Sequence, residues 1–346
     1  MTVRLRSTVN GNDSSPTPTP HPIKMNGQNG VSNGEASPLL PPTPADNHQL
    51  HNKARVFHRA QLTDYKTSHE KVPWQTDNEW ILKGYRPQLY NIRACLWSAI
   101  GYVHNETVNI HSHSIGALFF AILLPLHVMG AYFPTLGVFP GSSAQPPTTV
   151  IDKICLATYC VSAVTCMGLS SWFHTVQCCS QDVCDLAHCG DYVGIVVLIV
   201  GSILPGMYYG FHDNPVLRYV YMAGIATAGV TAGYMVLSPH HRKHRWHRTL
   251  TFIALGVSAV VPVGHVVLSK GLEFARNRMG FDYILGGGVA YIVGAVLYAD
   301  RFPEKFFPGK FDYFGSSHQI FHCFVLLGAW LQFSALRWMA YGLATA

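Results

Sequence analysis

Two histidines one helical turn apart, His318 and His322, lie at the start of the last long apolar stretch of the chain. The i, i+4 spacing places both imidazoles on one face of a helix, close enough to share a metal ion. Polar groups at membrane depth are costly without a partner, so such a pair indicates a functional site. Taken alone, the pair also fits two histidines hydrogen-bonded to helix carbonyls or neighbouring hydroxyls. The choice depends on what other segments bring to the same place.

The composition predicts a membrane protein. Of 346 residues, 49% are hydrophobic and only 12% are charged, about half the charged share of a soluble domain. A soluble all-α protein with so many apolar runs would have almost no polar face for water. We therefore predict an all-α fold, a seven-transmembrane helix bundle over residues 114–346. Its spans are expected at 114–136, 150–173, 190–210, 216–237, 249–269, 280–299 and 314–335.

The region before the first span divides into two parts. Residues 1–50 are rich in Ser, Thr, Pro, Asn and Gly, which predicts a disordered tail. The tail does not resemble a secretory signal, so the first span is expected to direct insertion. Residues 51–113 form a juxtamembrane region, in which 89–104 predicts an amphipathic helix on the membrane surface or, alternatively, a short soluble cap.

Charge placement bears on orientation and partners. Lys and Arg concentrate on the side that includes the N-terminus, which predicts a cytosolic N-terminus. The sequon at 105–107 is then on the wrong side for glycosylation. The formal charge of +6 lacks the aromatic-interleaved basic surface of a nucleic-acid-binding protein, so no nucleic-acid partner is expected. Four of the nine cysteines fall between residues 178 and 189, where palmitoylated or plain reduced thiols are favoured over disulfides or a zinc knuckle.

Helix parity brings distant polar residues together. With seven spans, the end of span two and the starts of spans three and seven all face one side of the membrane. Span two closes with Ser170 and His174, span three opens with Asp191, and span seven opens with His318 and His322. Three imidazoles and a carboxylate are therefore predicted to converge at one depth.

This set of residues suits a catalytic metal. Three neutral histidines leave the fourth zinc position for water, and zinc lowers the pKa of such a water to about 7. Asp191 is placed to accept a hydrogen bond and act as general base, and Ser170 lies one turn before His174. The sequence between His318 and His322 lacks the glutamate of the soluble metalloprotease signature, so that enzyme class is not predicted.

Several stretches resemble the progestin and adipoQ receptor family, the seven-helix group of adiponectin receptors and fungal haemolysin-III-like proteins. They are DNEWILKGYRP (77–87), HNETVNIHSHSIG (104–116), SSWFHT (170–175), DY (191–192) and RFPEKFFPGKFDYFGSSHQIFH (301–322). The resemblance implies a zinc ion held by His174, His318 and His322, with Ser170 and Asp191 at its water. It also implies a cytosolic N-terminus. In their general character, Glu106 and the long tail resemble the fungal members of the family.

The family is associated with ceramidase-like amide hydrolysis and, in fungi, with zinc, sterol or lipid homeostasis. The resemblance therefore implies a lipid substrate or ligand within the bundle, in the plasma membrane or an endomembrane, and admits an extracellular protein ligand. Our leading hypothesis is a zinc-dependent lipid amide hydrolase. The alternatives are a signalling receptor whose zinc is purely structural and, third, a zinc transporter or sensor.

Overall fold

A computed structural model describes residues 61–129, 149–238 and 244–344, and the predicted tail at 1–50 lies outside these ranges. The described part is helical, with a single isolated antiparallel bridge between Thr63 and Tyr85. Its α-helices are α1 Tyr65–Lys71, α2 Ile92–Gly101, α3 Thr107–Val128, α4 Val150–Val176, α5 Gln181–Gly210, α6 Pro215–Leu237, α7 Arg245–Val257, α8 Val260–Lys270, α9 Leu272–Met279, α10 Phe281–Asp300 and α11 Ser317–Ala344.

Seven helical stretches in the described part are long and apolar enough to cross a bilayer, which confirms the predicted fold class. They are α3, α4, α5, α6, the α7–α8 pair at Arg245–Lys270, α10 and α11. The molecule is therefore a multi-pass membrane protein.

The predicted bounds of two spans were wrong. The first span begins at Thr107 instead of 114, and α5 begins at Gln181 instead of 190. The early turns of α3 are polar because they face the protein interior, where Asn109 and His113 are buried. Hydropathy detects residues that face lipid, so it misses such turns. Residues 130–136 of the predicted first span lie outside the described residues.

Helix α11 contacts α3, α4, α5 and α9 as well as its neighbour α10. Large side chains fill the space around it: Phe120 of α3 and Tyr159 of α4 pack against Phe333 of α11. The buried Tyr159 hydroxyl donates a hydrogen bond to the Ala329 carbonyl of α11. This packing sets the position of α11 relative to α4.

Helices α4 and α5 approach each other closely at Gly194. A Cβ added there would lie 2.9 Å from the Cα of Cys166 and 3.3 Å from its carbonyl oxygen. Close backbone approach of this kind is typical of small residues in membrane helix pairs. Gly194 lies one turn after Asp191, so the contact also fixes how Asp191 sits against α4.

The region before α3 packs onto the end of the bundle where α4 ends. Helix α2 begins after Asn91, whose side chain accepts a hydrogen bond from the backbone N–H of Arg93. It buries Cys95, Ser98 and Ala99 against the protein. Leu96, Trp97 and Ile100 stay exposed, so an apolar face is left outward. A helix therefore exists within the predicted amphipathic stretch, and its position on the membrane surface stays a prediction.

Gly194→Ala is expected to destabilise the protein. The added methyl group meets α4 backbone, which cannot rotate away, and overpacking of this kind costs about 1–3 kcal/mol. The melting temperature of the purified protein should fall by several degrees. It is measured as the loss of the monodisperse peak in fluorescence-detected size-exclusion chromatography after heating. Gly206→Ala on the same helix is the matched control, because a Cβ there meets nothing within 4 Å. Equal melting temperatures for the two variants would contradict the close-packing interpretation.

Candidate metal centre

Three histidines from two helices meet at one end of the bundle. His174 lies in the last turn of α4, and His318 and His322 lie in the first turns of α11. One ring nitrogen from each residue can be chosen so that all three lie within 4.8 Å of one another. Among the described residues, no other set of three or more His, Cys, Asp or Glu side chains meets in this way.

The spacing fits one shared cation after small side-chain rotations. Nitrogens that are each about 2.0–2.1 Å from one tetrahedral ion lie about 3.4 Å apart. The three ring centroids are separated by 4.8, 5.1 and 4.9 Å. His174 and His322 are buried, and His318 is half-buried. The cluster could therefore hold a metal ion away from bulk water.

A carboxylate orients the first of these rings. His174 Nδ1 lies 2.8 Å from Glu106 Oε2 at the start of α3, and Asn109 Nδ2 donates to the same oxygen at 2.7 Å. Burial by itself would raise the pKa of Glu106, but the His174 ring and these hydrogen bonds outweigh it and hold the pKa at about 2. A carboxylate that stays ionised places the proton of a neutral His174 ring on Nδ1.

The opposite nitrogen of His174 is then free to bind a metal. His174 Nε2 is buried and has no hydrogen-bond partner among the described residues. A buried, unpartnered acceptor is costly, and metal coordination is one way to satisfy it. A carboxylate, a histidine and a metal in line is the common arrangement of metal-binding histidines.

A serine orients another ring in the same manner. His322 Nδ1 lies 3.1 Å from Ser112 Oγ of α3, and that hydroxyl donates to the Asn109 carbonyl at 3.2 Å. Because the hydroxyl proton is committed to the carbonyl, Ser112 Oγ accepts the hydrogen bond from His322 Nδ1. The Nε2 atom of His322 is again left for a ligand role. His113 stacks on the His322 ring with centroids 3.6 Å apart and planes 7° apart.

Asp191 and Ser170 lie beside the cluster and do not contribute ligand atoms to it. Ser170 is buried one turn before His174, and Asp191 is buried in the third turn of α5. The Asp191 carboxylate lies near both the Ser170 hydroxyl and the His174 ring. The carboxylate is thus available to accept a proton next to the three imidazoles.

Buried charges hold the two helix ends that carry the histidines. Arg86 is fully buried and donates to the carbonyls of His174 and Thr175 at the C-terminus of α4. Glu304 is fully buried and accepts from the Ser317 backbone N–H at 2.8 Å, at the N-terminus of α11. Each charge has the sign that the helix dipole favours at that end.

Sequence reasoning named the three histidines, Ser170 and Asp191, and the structure brings all five to this end of the bundle. It missed the roles of Glu106, Ser112, His113, Arg86 and Glu304. The sequence could have pointed to these residues, because every one of them lies in a stretch that carried the family resemblance. The first span was predicted to start too late, so the α3 residues were placed outside the bundle.

The described cysteines form no disulfide in this structure. Cys155, Cys160 and Cys166 pack in the main apolar core. Cys178 and Cys179 lie in the turn between α4 and α5, while Cys184 lies in α5 itself. The described residues contain no cysteine metal cluster.

Comparison with known proteins agrees with this architecture. The family described as Haemolysin-III related matches residues 101–333. The adiponectin receptor protein of Drosophila melanogaster is 33% identical over 300 residues, which cover 85% of this chain and 64% of the fly protein. Progestin and adipoQ receptor-like protein 1 of Caenorhabditis elegans is 34% identical over 276 residues, covering 79% of this chain and 60% of the nematode protein.

A fungal relative is similar over more of its own length. The ADIPOR-like receptor IZH2 of Saccharomyces cerevisiae is 34% identical over 281 residues, which cover 80% of this chain and 85% of the yeast protein. The chain thus spans a little under two thirds of the two animal relatives and most of the yeast one. The chain belongs to the Haemolysin-III related family, among relatives named adiponectin receptors and progestin and adipoQ receptor-like proteins.

Proposed function

We propose that this protein is a zinc-containing membrane receptor that hydrolyses an amide bond in a lipid of the ceramide type. The observation that carries the proposal is the buried cluster of His174, His318 and His322 with the Asp191 carboxylate at its side. The names of the animal and yeast relatives support the receptor part. We further propose a cytosolic N-terminus in the plasma membrane or an endomembrane, and the placement of Lys and Arg supports that orientation.

The donor set suits zinc. Imidazole nitrogens bind zinc, copper, iron and nickel, whereas magnesium and calcium require oxygen ligands. Three protein ligands leave one position open, which is the arrangement of catalytic and not of structural zinc sites. When bound, zinc would supply a Lewis acid that polarises a carbonyl oxygen and lowers the pKa of water.

The residues around the cluster would transfer the proton and orient the reacting groups. The Asp191 carboxylate accepts the proton of the attacking water and returns it to the amide nitrogen that leaves. The Ser170 hydroxyl lies near that carboxylate and would donate a hydrogen bond to it during the reaction. Glu106 and Ser112 keep the His174 and His322 rings in the orientation that leaves Nε2 free.

The surroundings of the cluster favour a lipid substrate. The site lies at the end of a helix bundle whose outer surface is apolar, with exposed residues such as Ile115, Leu118 and Ile122 along α3. A substrate with acyl chains can stay in the bilayer while its polar amide reaches the buried cluster. A receptor with purely structural zinc would share this geometry, and the presence or absence of turnover separates the two.

Removing the imidazoles should remove the metal. Elemental analysis of the purified protein is expected to find about one zinc per chain, falling to near zero in a His174→Ala, His318→Ala double variant. The control is His265→Asn, a histidine in α8 that contacts Tyr221 instead of the cluster, and it should retain full zinc. Unchanged zinc content in the double variant would refute the site.

Glu106→Gln should weaken zinc binding without abolishing it. The amide no longer fixes the His174 tautomer, and loss of such a partner typically costs 10–100-fold in metal affinity. Competition with a chelator of known affinity measures the change. The exposed Glu79→Gln variant is the matched control, and equal affinities for the two would exclude the orienting role.

Asp191→Asn should lower the rate of fatty acid release from a ceramide by about 10²–10⁴-fold, the usual range for loss of a general base. Zinc content should stay at the wild-type level, because Asp191 is not a ligand. Ser170→Ala should lower the rate less, and Ser202→Ala, a hydroxyl that donates within α5, should have no effect. Zinc-loaded wild-type protein without any turnover would favour the receptor with structural zinc.

A further inference from the structure

Two cysteines from separate segments touch each other beside the histidine end of the bundle. Cys95 lies in α2 and Cys178 lies in the turn between α4 and α5, with their Sγ atoms 3.6 Å apart. Both residues have 0% of their surface exposed. The separation is about 1.5 Å more than a disulfide bond. Bond formation therefore requires the two sulfur atoms to approach each other by that distance.

The backbone keeps the two cysteines together. The N–H of Leu89 donates to the Cys178 carbonyl at 2.8 Å, and the N–H of Tyr90 donates to the Cys179 carbonyl at 3.2 Å. The side chain of Gln88 donates to the Cys179 carbonyl as well. These hydrogen bonds attach residues 88–90, which precede α2, to the turn after α4. The contact between the thiols therefore lies in a hydrogen-bonded interface.

The surroundings make the two thiols unequal. The guanidinium of Arg86 donates to Ser98 Oγ of α2 and to the Thr175 carbonyl, which Cys178 Sγ also approaches at 3.6 Å. The contact with Cys95 and the nearby Arg86 lower the pKa of Cys178, against the opposing effect of burial. The same contact and burial raise the pKa of Cys95. We assign Cys178 as the nucleophile of the pair, because its Sγ lies beside the Thr175 carbonyl to which the Arg86 guanidinium donates.

We propose that Cys95 and Cys178 form a reversible disulfide in response to a peroxide, locking α2 to the end of the bundle that holds the histidine cluster. When local opening of the interface between α2 and the α4–α5 turn admits peroxide, the Cys178 thiolate attacks one peroxide oxygen, the O–O bond breaks, and the departing hydroxide leaves as water after taking up a proton. The sulfenic acid on Cys178 is then attacked by Cys95, whose proton leaves with the hydroxyl group as a second water.

The two thiols and hydrogen peroxide account for all atoms and electrons in the reaction. Two thiols lose two electrons and two protons, and hydrogen peroxide is reduced to two molecules of water. A dithiol reductant reverses the change by exchange through a mixed disulfide. Cys178 follows His174 by one turn, so the new bond would restrain the segment that carries a cluster histidine. The proposal does not depend on zinc or on lipid hydrolysis.

Peptide mapping of the full-length protein in nanodiscs tests the proposal directly. The protein is treated with increasing hydrogen peroxide, free thiols are blocked with N-ethylmaleimide, and the digest is searched for linked peptides. We expect a Cys95–Cys178 peptide with the mass of two hydrogens missing, and its disappearance after dithiothreitol. Oxidation should also raise the melting temperature by several degrees, because the cross-link restricts the unfolded chain.

Variants separate this pair from the other cysteines. Cys95→Ser and Cys178→Ser should each abolish the linked peptide and the rise in melting temperature. Cys184→Ser, a buried thiol in a neighbouring cluster, and Cys323→Ser, an exposed one, should retain both. Peroxide that yields only sulfinic acid at Cys178, or links Cys179 in place of either cysteine, would overturn the proposal, as would wild-type protein without any linked peptide.

Discussion

The histidine cluster depends on the meeting of two oppositely directed helix ends at one depth, each held by a buried charge. The C-terminus of α4 presents carbonyl groups to Arg86, and the N-terminus of α11 presents N–H groups to Glu304. In a bilayer, backbone groups at helix ends cannot rely on water, so these contacts are needed wherever the ends are buried. Because the charges match the helix dipoles, the ends stay in place, and so do His174 and His318.

Packing in the middle of the bundle positions the remaining side chains of the site. Gly194 lets α5 lie against the backbone of α4, and that contact determines where Asp191 stands relative to Ser170. The aromatic side chains around α11 determine its distance from α3 and α4. Every side chain of the site thus comes from a helix that is constrained by several neighbours, which is the arrangement that a preorganised metal centre requires.

The segment before the first span is part of the site and not only a cover for it. Arg86 belongs to this segment, and so does Asn78, which donates to Glu304 at 3.0 Å. Asp77 forms an ion pair with the buried Arg301 in the connection between α10 and α11. The thiol contact of Cys95 with Cys178 joins the same segment to the α4–α5 turn. Changes in this region therefore act on the histidines through their helix ends.

The sequence alone was enough to predict seven spans, the convergence of three histidines with Ser170 and Asp191, and the family, because hydropathy runs, helix parity and local motifs are all read along the chain. Glu106, Ser112 and His113 escaped prediction because the first turns of α3 are polar and face inward, whereas hydropathy reports residues that face lipid. The partners of the site are also far apart in the chain, as with Glu106 and His174, or Asn78 and Glu304. Only tertiary packing decides which distant polar groups share a buried space, since each must find a hydrogen-bonding or ionic partner there.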